Sequence, residues 1–270
     1  MSKKVVVIGG VAGGASTAAR VRRLDEKAEI IMLEKGPHVS FSNCSLPFHL
    51  SGIVENSEKL LMMDPVQFKK KYNIDARVFQ EVTHIDKVNK KVTIHNHATG
   101  ETSDESYDVL VLSPGAKPIV PALPGIDATH VFTVRNVVDI ERLQQYVSQD
   151  TIENIAVIGG GFIGVEVAEN LRLANKNVAL IEFAPQVMAP FDDDMVQIIH
   201  KEMLDKGIDL RVGDGLASIE DKTVTLQSGK QVKADAVVLA IGVRPDTTLA
   251  EDAGLDIGET GAIVVDGNYV

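Results

Sequence analysis

An α/β fold of two doubly wound domains is what this 270-residue sequence predicts, and three observations carry that reading. A glycine-punctuated strand–helix–strand pattern occupies residues 4–34, it recurs at 154–182, and short alternating strands lie between the two copies. The first copy reads KVVVIGGVAGGASTAARVRRLDEKAEIIMLE and the second NIAVIGGGFIGVEVAENLRLANKNVALIE. Each is a β-branched run, a glycine turn, a helical stretch, a second apolar run and a terminal glutamate. That is a βαβ unit twice over, and two such units imply two nucleotide-binding-type sheets.

In chain order, residues 1–118 read as the first domain, 119–243 as the second, and 244–270 as a return to the first. The opening run Val5–Ile8 stops at Gly9, too short for the apolar core of a secretion signal. Gly9 and Gly14 hold the outer positions of a G-x-G-x-x-G turn. Val11 stands where the central glycine belongs, among Gly10, Ala12 and Gly13. Glu34 ends the next strand and Lys35 follows it. An acid at that strand end accepts hydrogen bonds from an adenosine ribose, so the imperfect turn still reads as a dinucleotide cradle.

Residues 75–112 read as an antiparallel meander inserted in the first domain, with strands RVFQEVTHI, KKVTIHN and YDVLVLS. Turn signals fall at Asn89-Lys90 and Thr99-Gly100. His95 and His97 share one exposed strand face and have no further Cys or His near them, so they do not read as a metal site. The proline-rich SPGAKPIVPALPG at 113–125 reads as the crossover to the second unit.

In the second unit Gly159, Gly161 and Gly164 complete the G-x-G-x-x-G pattern around Gly160. The first glycine permits the tight turn, the second lets a pyrophosphate approach the backbone, and the third lets helix and strand pack closely. Glu182 ends the following strand, and Phe183 and Ala184 come next rather than an arginine. A 2′-phosphate would meet an uncompensated carboxylate there, which favours NADH over NADPH. Asp192–Asp194 read as acids at a helix N-terminus, where the dipole favours them. Further strands are expected through residues 211–242, and GAIVVDGNYV reads as a closing strand.

The net charge of −11 argues against nucleic acid or an anionic membrane surface as partner. No apolar run approaches the length of a bilayer span, and no G-x-S-x-G turn marks a serine hydrolase. A single cysteine rules out a disulfide framework and fits a reducing, cytoplasmic setting. Two cradles in one chain suggest two dinucleotides in series, the arrangement of an electron relay from NADH to a flavin. The lone thiol, Cys44 in SFSNCSLPFHL, follows the first unit by ten residues in a loop-like stretch. A lone cysteine in an arbitrary chain is more often inert core than reagent. Beside a flavin, however, a thiol accepts two electrons as a mixed disulfide or an oxidised sulfur. With one cysteine, the second sulfur or oxygen must come from a substrate.

SFSNCSLPFH, with GGVAGG before it and GGGFIGVEVAEN and AIGVRPDT after it, resembles the pyridine nucleotide-disulfide oxidoreductases. Within them it is most similar to the coenzyme A-disulfide reductase and NAD(P)H persulfide/polysulfide reductase branch. The resemblance covers essentially the whole chain and implies the FAD/NAD(P)-binding Rossmann-like fold, with FAD in the first cradle and NADH in the second. It implies Cys44 as the redox-active nucleophile, with Ser40 and Asn43 helping to bind a thiol substrate. Asn43, Val82, Arg135 and the turn Ser113-Pro114-Gly115 are implied as flavin contacts. Phe162, Ile163, Glu166 and Gly242 are implied around the nicotinamide nucleotide. Helical spacing puts Ser16, Arg20 and Arg23 on one face, and the resemblance makes that face a coenzyme A contact, with Lys71 a further candidate. Full-length relatives continue into a further flavin-binding segment and a dimerisation domain, so the sequence reads as the N-terminal part of a homodimeric enzyme. Two other readings stay open. One is an NADH oxidase or peroxidase that cycles Cys44 through a sulfenic acid; the other is a non-catalytic dinucleotide-binding fragment.

Overall fold

The computed structural model describes residues 2–270, and the chain divides into two compact units. Unit 1 holds residues up to Ser42, then Leu61–Lys117 and Arg244–Val270; unit 2 holds Asn43–Leu60 and Pro118–Val243.

Unit 1 begins β1 (Lys4–Ile8), α1 (Ala12–Leu24), β2 (Glu29–Leu33), α2 (Pro65–Tyr72) and β3 (Asp75–Arg77). It continues with β4 (Gln80–Asp86), β5 (Lys91–Asn96), β6 (Thr102–Ser106), β7 (Val109–Leu112) and β8 (Ala116–Pro118). The main sheet runs β3-β2-β1-β7, all parallel, with Val5 opposite Ile30 on one side and Val109 on the other. Successive strand side chains point to opposite faces, and β1 obeys this: Val5 and Val7 pack with Ala18, Ile30, Met32 and Phe68. Val6 and Ile8 pack on the other face with Ile31, Leu33, Val82, Ile85 and Val92. The second face is therefore covered by the antiparallel meander β4-β5-β6.

That meander is shorter than 75–112. The runs at 75–77 and 109–112 join the parallel sheet instead, with Ala76 and Val111 packed on one of its faces and Leu110 and Leu112 on the other. The expected turns are present, with Lys90 and Gly100 at positive φ. α2 starts on a reciprocal cap between Asp64 and Gln67 with Pro65 behind it, and ends on Asn73 in the left-handed region.

Unit 2 contains β9 (Val131–Thr133), α3 (Val137–Val147), β10 (Asn154–Ile158), α4 (Phe162–Leu173), β11 (Asn177–Glu182) and α5 (Asp193–Asp205). After these come β12 (Asp209–Val212), β13 (Leu216–Glu220), β14 (Thr223–Leu226), β15 (Gln231–Lys233) and β16 (Ala236–Leu239). Its parallel sheet runs β12-β11-β10-β16-β9, and β13-β14-β15 form a separate antiparallel sheet. β16 occupies the place in this sheet that β7 has in the first. Being flanked on both sides, it is buried throughout, whereas edge strand β7 is half-exposed. Asp235 fixes the strand entry: its carboxylate accepts from Glu153 N, Asn154 N and Asn154 Nδ2 and pairs with Lys222.

The chain then returns to unit 1 through β17 (Val243–Pro245), which pairs with β8, and α6 (Thr248–Asp252). Residues 261–270 form no strand, only one isolated bridge between Ile257 and Ile263, since glycines and the turn at Asp266 interrupt any ladder. Residues 43–60, adjoining the first βαβ unit in sequence, pack instead with unit 2. Asn43 Nδ2 reaches Arg135 O at 3.5 Å, Ser51 Oγ reaches Asn170 Oδ1 at 2.7 Å, and Ser57 Oγ reaches Glu141 Oε1 at 2.5 Å. Among the described residues no helix is long and apolar enough to cross a membrane.

Candidate functional site

The two glycine turns are built alike. Gly9 and Gly159 have φ of +96° and +108°, and a Cβ would lie 2.1 Å and 2.4 Å from the carbonyl oxygens of Ser113 and Ala240. Only glycine fits such a position. A Cβ on Gly14 or Gly164 would lie 1.8 Å or 1.9 Å from the carbonyl oxygen of Gly9 or Gly159. These two glycines let α1 and α4 sit directly on their strands.

The central position differs. Val11 has φ −102° and Gly161 φ −74°, and nothing stands within 4 Å of a Cβ at 161. No fold constraint asks for glycine there, so Val11 leaves the first turn intact.

Each turn is also tied to its strand-end acid. Gly10 N donates to Glu34 Oε2 at 2.8 Å and Gly36 N to Oε1 at 2.8 Å. Gly160 N donates to Glu182 Oε2 at 2.5 Å and Ala184 N to Oε1 at 2.7 Å. Each carboxylate is thereby oriented and retains lone pairs for further donors. Neither α1 nor α4 has a side-chain cap, and neither has an acid in its first turn, where α5 carries Asp193 and Asp194. Their unpaired N–H groups and positive dipole ends therefore fit a phosphate.

A cavity of about 300 Å³ opens at the first turn. Gly9, Glu34, Lys35, Val82 and Pro114 line it, bringing together residues from four separate stretches singled out in the sequence. Lys117 and Asp246 line it too, and the sequence reading missed both. Asp246 lies 2.7 Å from Lys117 Nζ and 3.3 Å from Lys35 Nζ. Burial alone would raise its carboxyl, but the hydrogen bond and charge of Lys117, with the charge of Lys35, hold it below the usual range. The only signal was AIGVRPDT, the stretch that contains Asp246. Ser113 N donates to Ile8 O and Gly115 O accepts from Asp246 N, so Ser113-Pro114-Gly115 braces the cavity wall.

A larger cavity of about 730 Å³ opens at the second turn. Gly159, Gly160, Gly161, Phe162, Ile163, Glu182 and Gly242 line it, and its remaining walls are mostly apolar. Phe162 is exposed and meets Phe191 edge-on, with centroids 6.1 Å apart. Gly164 and Glu166 are not in the lining. Gly164 is buried under the turn, and Glu166 stands one helical turn beyond Phe162, its carboxyl raised by burial and then by the charge of Glu169.

Cys44 lies in a 3-10 turn, Asn43–Ser45, and its thiol is free and exposed. It is therefore not aliphatic filler. Asn43 and Arg135, expected as flavin contacts, are hydrogen-bonded to each other within unit 2. Ser40 holds a positive φ of 49° and its N–H donates to Gly10 O; Met188 does the same at the second turn with Gly160 O.

Ser16, Arg20 and Arg23 are exposed on α1 and make no side-chain hydrogen bond or ion pair among the described residues. Arg22 differs, capping the carbonyls of Tyr72, Asp25, Glu26, Ala28 and Asn73. Lys71 is exposed and sits 5.4 Å over the Tyr72 ring. His97 pairs with Glu81 across the meander and packs edge-on against His95.

Residues 3–269 match the family described as pyridine nucleotide-disulphide oxidoreductase. A coenzyme A disulfide reductase of Staphylococcus haemolyticus is 34% identical over 267 residues, which cover 99% of this chain and 60% of the relative. The crystal structure of reduced Bacillus anthracis CoADR-RHD superposes with a TM-score of 0.96 at 48% identity, covering 98% of this chain and 48% of that one. A NAD-dependent persulfide reductase from A. fulgidus superposes at 0.94 with 36% identity, covering 97% and 50%. The chain thus spans 60% of the length of the curated relative it matches.

Proposed function

The chain belongs to the pyridine nucleotide-disulphide oxidoreductase family, and from that premise we propose that it serves NADH-dependent reduction of a low-molecular-weight disulfide, persulfide or polysulfide through Cys44. Coenzyme A disulfide is the favoured substrate, in line with the named relatives. The observation that carries the reading is the sole thiol of the chain standing exposed on a tight turn, in a protein with two dinucleotide-type cradles.

On this reading residues 1–118 and 244–270 hold FAD and residues 119–243 hold NADH. The first cradle fits FAD chemically: α1 offers uncapped N–H groups to a pyrophosphate, and Glu34 offers an oriented carboxylate to a ribose. FAD, when bound, supplies the two-electron relay between nicotinamide and sulfur. Glu182 performs the ribose role in the second cradle, and its carboxylate repels a 2′-phosphate, which selects NADH. The Cys44 thiolate attacks one sulfur of the substrate disulfide and expels the first thiolate. Two electrons from NADH then cleave the mixed disulfide, release the second thiolate and restore Cys44. Arg20 and Arg23, exposed and without side-chain partners among the described residues, are suited to the phosphates of a coenzyme A moiety.

The test is Cys44→Ser in flavin-loaded protein. Disulfide-dependent NADH oxidation should fall by about a hundredfold or more, because the nucleophile is removed, while NADH-to-dye transfer stays near the wild-type rate. Equal loss of both activities sinks the assignment. Faster NADH consumption with peroxide than with coenzyme A disulfide would transfer the reading to a sulfenic-acid cycle.

A further inference from the structure

Asn170 is fully buried in the middle of α4, a position where asparagine is a poor helix former and where its amide must find partners. Both ends of the amide are used. Nδ2 donates to the Glu166 carbonyl one turn back at 2.8 Å, which leaves Oδ1 facing outward as an acceptor. Oδ1 receives the Ser51 hydroxyl at 2.7 Å. Ser51 Oγ in turn accepts from Ile53 N, so its single proton is committed to the Asn170 side or to Phe48 O, the longer contact at 3.1 Å. Ser51 belongs to residues 43–60, the arm that begins with Asn43 and Cys44. Two further side-chain hydrogen bonds between this arm and the rest of unit 2 end on the Arg135 carbonyl and the exposed Glu141. The Asn170 bond, unlike these two, ends on a side chain with no exposure, where a slipped register would strand a polar group. At its other end α4 forms the second cradle, with Phe162 and Ile163 in the cavity wall.

We propose that Asn170 is a positioning residue that couples the helix of the second cradle to the Cys44 arm, so that a nucleotide bound at the cradle alters the accessibility of the thiol. The inference rests on the proposed assignment of NADH to that cradle. Asn170 closes the stretch GGGFIGVEVAEN, but no role for it is legible in the sequence.

Cys44 is the sole thiol of the chain, so iodoacetamide uptake followed by intact mass reports it alone. In the wild type, saturating NADH should slow this alkylation by about fivefold, the factor one net hydrogen bond is worth. Asn170→Ala and Ser51→Ala should each abolish that response while NADH binding, followed by nicotinamide fluorescence, persists. A role limited to packing would lower the melting temperature and leave the NADH response intact. A wild-type rate indifferent to bound NADH, or a response retained in either variant, overturns the proposal. Should Asn170→Ala fail to fold, Ser51→Ala removes the same bond from the arm side and decides alone. Absence of NADH binding to the wild type would defeat this proposal together with the functional reading, and the fluorescence separates that result from a loss of coupling.

Discussion

Replacing Gly164 and Gly161 by alanine, one at a time, separates the glycine that the fold needs from the glycine that a ligand needs. At 164 the new Cβ would sit 1.9 Å from the Gly159 carbonyl oxygen, against an ordinary contact of 3.4 Å or more. Helix α4 must therefore withdraw from its strand by 1.5 Å, the difference of those two distances. Overpacking against backbone costs about 3 kcal/mol, the upper end of the usual range. Alanine returns about 1 kcal/mol of helix propensity. The net loss is about 2 kcal/mol, or a fall of about 4–8 °C in Tm for a domain of this size.

At 161 the Cβ meets nothing within 4 Å and φ is already negative. The weaker N-cap and the smaller chain entropy offset each other to within about 0.5 kcal/mol, so Tm stays put. NADH affinity should fall about tenfold, because the methyl occupies the approach to the pyrophosphate. Thermal melts by circular dichroism and a nicotinamide fluorescence titration measure both. A Gly161→Ala protein that melts as early as Gly164→Ala would refute the reasoning, since open space cannot destabilise.

Three further outcomes are expected. Asp235→Ala should cost about 3 kcal/mol in urea unfolding, because it leaves two strand-entry N–H groups without their acceptor and removes the ion pair with Lys222. In the wild type, burial works to raise the Asp235 carboxyl, but the Asn154 and Glu153 donors and Lys222 outweigh it and hold it far below the usual range. A depressed carboxylate stabilises the fold above its unfolded pKa, so that share of stability should decline from about pH 4 downward and be absent in the alanine variant. Arg22→Ala should cost about 2 kcal/mol, since several carbonyl contacts vanish, while Arg20→Ala and Arg23→Ala shift stability by less than about 0.5 kcal/mol and instead raise KM for coenzyme A disulfide. Glu182→Ala should move the NADPH-to-NADH ratio of kcat/KM towards NADPH by about tenfold, the worth of one unfavourable charge contact.

The parallel sheets were legible because their signals are local. A β-branched run, a glycine that must turn at positive φ and an acid at the next strand end all lie within about thirty residues, as one βαβ unit requires. The boundaries of the meander were less legible. VLVL at 109–112 suits either kind of strand, and only the burial of both sheet faces decides for the parallel one. The Asp246–Lys117–Lys35 cluster joins positions far apart in the chain, and no spacing rule connects them. The attachment of residues 43–60 to unit 2 depends on serines and an asparagine that look ordinary in sequence. The thiol was readable by its solitude, but its exposure required the fold.

The near-identity of the two turns has a consequence for inhibitor discovery. A compound that recognises only the helix end and the strand-tip glutamate will meet that arrangement twice in every molecule and occupy both. Discrimination must be written into the flanks, where one recess carries Lys35, Lys117 and Asp246 and the other carries Phe162, Ile163 and Ile241. A charged extension should find the former and a greasy one the latter.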